Sequence, residues 1–409
     1  MRSQGWLAGV DQAFFVAGGL ASAWLAYLTL TEGVRPGWPL VLVVVFWALV
    51  AYLVLPRLHR ILTHIYVPDY FIGRTRTADG LLGDPVNLAL MGSAAQVHHG
   101  LRTGGWTRAD ELTFSTGWQI LARTLARRSY LEAPVSPLFL FGRQQDFSYQ
   151  QQVAGNPSQR HHVRFWKCPE GWLLPGGAAV DWLAAGTFDR SVGLSWFTLQ
   201  VTHKIAADVD LERDHIVKTV SANPGVRVRV LPDFFVGYHA RNGGGDAIET
   251  DGDLPVIDMA GLVAPPLPPT MDPGRSRRPG SVTFGVVASA ARAAAYLWLA
   301  LLLFGSEWLL AADAAPSNAT AAGAQWISYL LAGLIDLGLA VALLGRRNWA
   351  RLLLCTISLV SVLMSMLPGS LLTAAQTPIA ALLPLAISVL VLLALSSDAA
   401  RLYSTGESR

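Results

Sequence analysis

The charge in this chain is concentrated in its middle. All nine His, all three Lys (Lys167, Lys204, Lys218) and 23 of the 31 basic residues lie between Arg57 and Ser281, together with 21 of the 28 acidic ones. The flanking stretches are nearly uncharged and strongly apolar. One polar domain is therefore inserted between two hydrophobic blocks. At about 200 residues it is long enough to bury its own core.

The flanks read as membrane spans. Mean hydropathy is +0.39, and the chain is 52% hydrophobic with only 14% charged residues. That composition excludes a disordered chain and fits several spans. Windows of about the length a helix needs to cross a bilayer fall at 13–30, 40–55, 288–306, 325–344, 352–367 and 378–395. The first is read as a retained span, because no small-x-small cleavage site follows before Glu32. Orientation follows the basic residues. Arg2, Arg57, Arg60, Arg275, Arg277, Arg278, Arg346, Arg347, Arg351, Arg401 and Arg409 fall on one side. The other side carries Arg35 with Glu32, Glu307 and Asp313. Both termini and the central domain are thus expected in the cytoplasm. Arg outnumbers Lys 28 to 3, a bias typical of a GC-rich bacterial genome. The expected location is the bacterial plasma (inner) membrane, with the lipid bilayer as a partner. A net charge of +3 without a basic stripe argues against nucleic acid.

The expected fold class is a membrane-anchored α+β protein. Six transmembrane helices, two before and four after, flank one cytoplasmic domain with a mostly antiparallel sheet and about three helices. The divisions are 1–56 (two spans), 57–79 (a juxtamembrane amphipathic segment with Leu58, Ile61, Leu62 and Ile65 at helical spacing), 80–258 (the domain), 259–281 (a Pro/Arg-rich linker), 282–395 (four spans) and 396–409 (a cytoplasmic tail). Within the domain, Asp84-Pro85 reads as a helix start for a helix to about Leu101, and a second helix is expected over 115–128. Strands are expected at 138–142, 147–153, 161–167, 181–189, 199–205 and 226–231, with a third helix from Asp208 or Asp210 to Ser221.

Several runs could carry chemistry. On a strand, His162, Arg164 and Trp166 would share one face and His161, Val163 and Phe165 the other. His and Arg on one face can hold an anion. The carboxylates of Asp208, Asp210, Glu212 and Asp214 could take a divalent cation or cap a helix N-terminus. Arg241-Asn242-Gly243-Gly244-Gly245-Asp246 could cradle phosphate through backbone N–H groups or form a hairpin turn. Asp189-Arg190 ends a strand beside them. Cys168 reads as structural. Inside the spans, Arg292 and Asp336 differ in depth by about 6 Å at 1.5 Å per residue, within reach of an Arg side chain, so an ion pair is expected.

These motifs, in this order, resemble the LssY-like C-terminal domain family. The residues are Gly-Leu-Leu-Gly-Asp84-Pro-Val-Asn, Gly142-Arg143 at the end of an apolar run, Arg160-His161-His162-Val-Arg164-Phe-Trp166, Thr187-Phe-Asp189-Arg190, Gln200-Val-Thr-His203, Asp208 to Asp214, and Arg241 to Asp246. The similarity covers about 80–253. The family takes its name from a type I secretion component. In some relatives the domain resembles one fused to a membrane phosphatase, but this chain has no Pro-Ser-Gly-His motif. Two functions are weighed. One is a hydrolase or transferase acting on a phosphate-bearing or lipid-linked substrate at the membrane. His161, His162, His203 and Asp189 would then be catalytic. Arg164, Arg190, Arg241, Asn242, Gly243, Gly244 and Gly245 would hold the anion, and Asp208, Asp210 and Asp246 would be candidate metal ligands. The other is a non-catalytic ligand-binding or envelope/secretion-associated scaffold module. An enzyme should gather His161 or His162, His203 and Arg241 around one pocket.

Overall fold

A computed structural model describes residues 2–34, 39–67, 70–109, 136–153, 159–234, 241–267, 278–311, 319–367 and 379–406. The chain forms two compact units, Met1–Arg57 with Arg277–Arg409, and Leu58–Ser276. The N-terminal helices are α1 (Arg2–Gly33), α2 (Pro39–Leu49), a π-helical turn (Val50–Val54) and α3 (Leu55–Tyr66).

The central unit is a sheet-rich α+β domain. Its elements are β1 (Arg74–Thr77), β2 (Leu82–Pro85), β3 (Leu88–Met91), α4 (Ala94–Thr103), β4 (Thr107–Arg108), β5 (Leu138–Leu140), β6 (Arg143–Gln144), β7 (Phe147–Gln152), β8 (Arg160–Lys167), β9 (Trp182–Leu194), β10 (Val201–Ile205), α5 (Asp210–Ser221), β11 (Arg227–Leu231) and β12 (Leu254–Asp258). The main sheet runs β11-β12-β3-β9-β8-β7-β4, and β10 adds to β9. A small sheet runs β2-β1-β5-β6. All pairings are antiparallel except β3 with β12.

Alternation along the strands builds two apolar layers. Val163, Phe165, Trp182 and Ala184 pack with Val97 and Leu101 of α4 and Ile216 and Val220 of α5. Trp166, Leu183 and Ala185 pack with Val86, Leu138 and Leu140 on the side of the small sheet. Gly186 permits the approach of α5. A Cβ there would lie 2.3 Å from Ile216 Cδ1. Asn87 fills the gap between β3 and β10 along the edge of β9. Its carboxamide accepts from Gly186 N–H and donates to Gly186 C=O, both at 2.9 Å, as a strand peptide would.

Three sequence expectations are revised here. Asp84-Pro85 ends strand β2 and does not start a helix. Helix α4 begins at Ala94 behind a Ser93–Gln96 capping box. The physical reason lies in Leu88-Ala-Leu-Met91. This apolar run enters the sheet between β9 and β12, where both faces are covered. The domain also starts before residue 80, because β1 lies within 57–79 and pairs with β2. It extends past Asp258, since Met259 and Leu262 are buried beside α4 and α5. The helix expected at 115–128 lies outside the described residues.

The C-terminal helices are α6 (Gly280–Ala311), α7 (Ala319–Leu344), α8 (Asn348–Ser365), α9 (Ile379–Leu395) and α10 (Asp398–Thr405). Among the described residues five helices are long and apolar enough to cross a membrane. The number rises to six if the end of α9 and α10, bent by 64°, count as one. Three guanidinium groups are tied down within this unit. Arg57 donates to the carbonyls of Phe15 (2.6 Å) and Leu393 (2.9 Å). Arg351 pairs with Asp11 at 2.6 Å and donates to Leu395 C=O. Arg292 bonds to Asp336.

Candidate functional site

Strand β8 presents its two adjacent histidines to opposite sides of the sheet. On the side of α5, His161 Nδ1 lies 2.6 Å from Glu212 Oε2. Glu212 sits one and two turns before the core residues Ile216 and Val220, so α5 carries this carboxylate on its buried face. Its side chain is 2% exposed, against 22% for His161. Burial raises the Glu212 pKa, and the hydrogen bond and charge of His161 oppose the rise. The His161 ring stacks on His215 at 4.3 Å and packs against Phe188 at 4.8 Å, with Trp106 at its edge. His215 Nε2 meets Gln151 Oε1 at 2.8 Å. Burial lowers the His215 pKa, and the charges of His161 and Lys218 add to the shift. His161 is opposite Phe188 in the ladder. Arg190, two residues further along β9, is exposed and sits at a bulge, where Asp189 and Ser191 pair with the adjacent residues Ile205 and Lys204. A histidine with one nitrogen held by a buried carboxylate and the ring edge reaching solvent is arranged for proton transfer.

On the other side runs a buried polar chain. Arg164 Nη1 donates to Asp84 Oδ2 at 2.8 Å, and Thr187 Oγ1 donates to the same oxygen at 3.2 Å. Thr187 Oγ1 is also 2.7 Å from His162 Nε2. With the hydroxyl proton directed at Asp84, His162 Nε2–H is the donor to Thr187. His162 Nδ1 then faces Asp189 Oδ2 at 3.4 Å, a charge-pair distance at which Nδ1 makes no hydrogen bond. Arg160 Nε closes the chain on Asp189 at 2.9 Å. Burial disfavours the Asp189 carboxylate, but His162, Arg160 and His203 outweigh it and hold its carboxyl below the usual range. His203, opposite Val192 on β10, reaches the surface. Desolvation lowers its pKa, and Asp189 opposes that shift.

The residues singled out in the sequence therefore divide. His162, Arg164 and Asp189 come together, with His203 in electrostatic reach. His161 faces the opposite side. Arg241 does not join either histidine, because its Nη1 donates to Gly245 C=O within its own turn. The glycine segment is a hairpin turn and not an open phosphate cradle. Gly243 N–H donates to Leu82 C=O, Gly244 and Asp246 N–H to Asn242 Oδ1, and Gly245 N–H to Asn242 C=O. The metal candidates Asp208, Asp210 and Asp246 do not converge either. Asp208 Oδ1 caps α5 through the N–H groups of Asp210 and Leu211. Asp210 accepts from Thr250 Oγ1 and Arg213. Arg213 in turn makes a two-pronged pair with Asp251 at 2.6 and 3.0 Å. Asp246 pairs with Lys204 at 3.4 Å. Among the described residues no group of three His, Cys, Asp or Glu converges as a metal site. Burial pushes the Cys168 thiol up to about 12, Asp181 adding and Arg143 opposing, so it is a poor nucleophile. In the helical unit, Arg292 Nε and Nη2 meet Asp336 at 2.6 and 2.9 Å, and Arg292 Nη1 donates to Ser358 and Ser388.

Glu212 as the partner of His161 was missed because a carboxylate in the first turn of a helix reads as a dipole and capping residue. The available signal was its i, i+4, i+8 spacing with Ile216 and Val220. Thr187 and Arg160 fall within the motifs shared with the family, but their partners depend on strand pairing.

Fold and site define an α+β domain with a histidine–carboxylate pair, carried in a chain with five to six long apolar helices among the described residues. Residues 64–254 match the family model described as LssY C-terminus, and the central domain belongs to that family. No curated protein and no solved structure matches the chain.

Proposed function

We propose that the chain is a multi-pass inner-membrane protein whose cytoplasmic domain hydrolyses or transfers a phosphate-bearing or lipid-linked group at the membrane. The observation that carries this is the 2.6 Å contact between His161 Nδ1 and the buried Glu212 carboxylate. Glu212 fixes the ring with Nδ1–H as donor, which leaves Nε2 as the base. Nε2 accepts the proton of an attacking water or hydroxyl, and the carboxylate stabilises the imidazolium that forms. Arg190, exposed and two residues along β9 from the Phe188 that faces His161, supplies the cation for a phosphate group. Glu212 is a positioning residue and His161 the catalytic one.

The test uses the full chain in detergent with p-nitrophenyl phosphate, bis(p-nitrophenyl) phosphate and p-nitrophenyl acetate. His161→Gln should lower turnover by about 10²–10⁴-fold. Arg190→Gln should raise KM for the phosphates and leave the acetate unaffected. Turnover undiminished in His161→Gln overturns the assignment. Absence of turnover by the parent chain, with and without added divalent cations, favours the non-catalytic module.

A further inference from the structure

The β9–β10 hairpin projects beyond the sheet and is two-faced. Register places Val192 opposite His203 and Leu194 opposite Val201, so these share one face. Ser191 with Lys204 and Gly193 with Thr202 form the other. The polar face is covered. Lys204 Nζ donates to Gly244 C=O and pairs with Asp246, and Ser195 Oγ donates to Gly244 C=O. The apolar face is open, with Val192, Leu194 and Val201 all exposed. The tip is built rather than loose. Ser195 N–H donates to Gln200 C=O, and Thr198 N–H to Ser195 Oγ. It presents Trp196, 84% exposed, and Phe197.

What lies against this face is indicated by α3. His59 of α3 stacks flat on Phe197, ring centroids 5.0 Å apart and planes within 3°. The same helix completes the apolar stretch Val41–Thr63, long enough to cross a membrane. It leaves Leu58, Leu62, Ile65 and Tyr66 exposed. The hairpin tip is therefore fastened to the last turns of a candidate span. Trp and Tyr with short apolar side chains are the residue types that settle at the headgroup level.

We propose that the β9–β10 hairpin is a membrane-docking arm. Its apolar face and Trp196-Phe197 tip insert into the bilayer interface from which α3 emerges. The inference rests on the membrane-spanning reading of residues 41–63. Docking holds strand β9, and with it Asp189 and Arg190, close to the lipid surface, where a lipid-linked substrate would be met.

The experiment is nitroxide accessibility on the full chain in nanodiscs of phosphatidylethanolamine and phosphatidylglycerol. Labels are placed singly through Val45→Cys, Trp196→Cys and Val263→Cys in a Cys168→Ser, Cys355→Ala background that remains monodisperse. Val45 lies in α2, and Val263 is 94% exposed elsewhere in the central unit. The ratio of oxygen to nickel-chelate relaxation should be several-fold higher at positions 45 and 196 than at 263. A lipid-like ratio at 45 with an aqueous one at 196 overturns the arm and leaves the span standing. A label at 196 shielded from both reagents places protein over the face and also overturns it. An aqueous ratio at 45 overturns the span and the arm together.

Discussion

Arg292 and Asp336 meet in a two-pronged ion pair, 44 residues apart in sequence and both about 1% exposed. The remaining guanidinium nitrogen is shared between Ser358 and Ser388, so one side chain links α6, α7, α8 and α9. Removing one partner of a buried pair costs about 3–5 kcal/mol, whereas replacing both by apolar residues is far less damaging. Arg292→Leu and Asp336→Leu should each lower the thermal unfolding midpoint in detergent micelles. The double variant should regain more than half of the loss. Additive losses would show that the two charges do not act as a pair.

His98 Nδ1 and the Tyr149 hydroxyl lie 2.8 Å apart in the core of the central domain. Burial lowers the His98 pKa from 6.5 to about 4, and Arg108 and Arg102 add to the shift. The unfolded imidazole therefore binds its proton before the folded one. Stability from this group is complete above about pH 6.5 and is lost as pH falls toward 4, by up to about 3 kcal/mol. Denaturant titrations of the full chain across that range should show the decline, and His98→Asn should flatten it. Tyr149, pushed up to about 12 by burial, remains protonated throughout. An unchanged slope in His98→Asn would assign the acid sensitivity to other groups.

Thr187 bridges Asp84 and His162 with one hydroxyl. Thr187→Val keeps the shape and removes the bridge, leaving a buried ring nitrogen unpaired at a cost of about 1–3 kcal/mol. Thr187→Ser should recover most of it. Equal stability of the Val and Ser variants by chemical denaturation would mean that the hydroxyl carries no weight.

Gly243 sits where a Cβ would lie 2.5 Å from Leu81 Cβ and 3.2 Å from Leu82 C=O. Gly243→Ala should push the turn away from β2, break the Gly243 N–H to Leu82 C=O bond, and destabilise the central unit by about 1–3 kcal/mol. Hydrogen exchange should then rise at Gly243 and at Ile205, whose N–H is 3.4 Å from Asp246 Oδ2. Gly244→Ala, with only side-chain atoms 3.3 Å or more away, is the comparison. Matching behaviour of the two variants would remove the close-approach argument.

Local pattern was legible in the sequence wherever one element decides it. Period-2 alternation in Arg160 to Lys167 gave the opposite faces of His161 and His162. The apolar windows gave the helices of the first unit, and the acidic start of α5 gave its position. Asp84-Pro85 misled, because its helix-start chemistry is local while the apolar run after Asn87 is claimed by the sheet. Met259 and Leu262 looked like linker, because nothing local marks them as the cover of α4 and α5.

The sequence alone determined that two hydrophobic blocks enclose a polar domain, since charge segregation of this size permits no single mixed core. It also determined which side chains could share a strand face. Tertiary structure alone decided which groups meet. Glu212 reaches His161 across 51 residues and Thr187 joins His162 to Asp84 across 25 and 103. Those encounters depend on strand order and on the close packing of α5 over Gly186. Neither is written in any local pattern, because both are set by how distant segments share one buried volume.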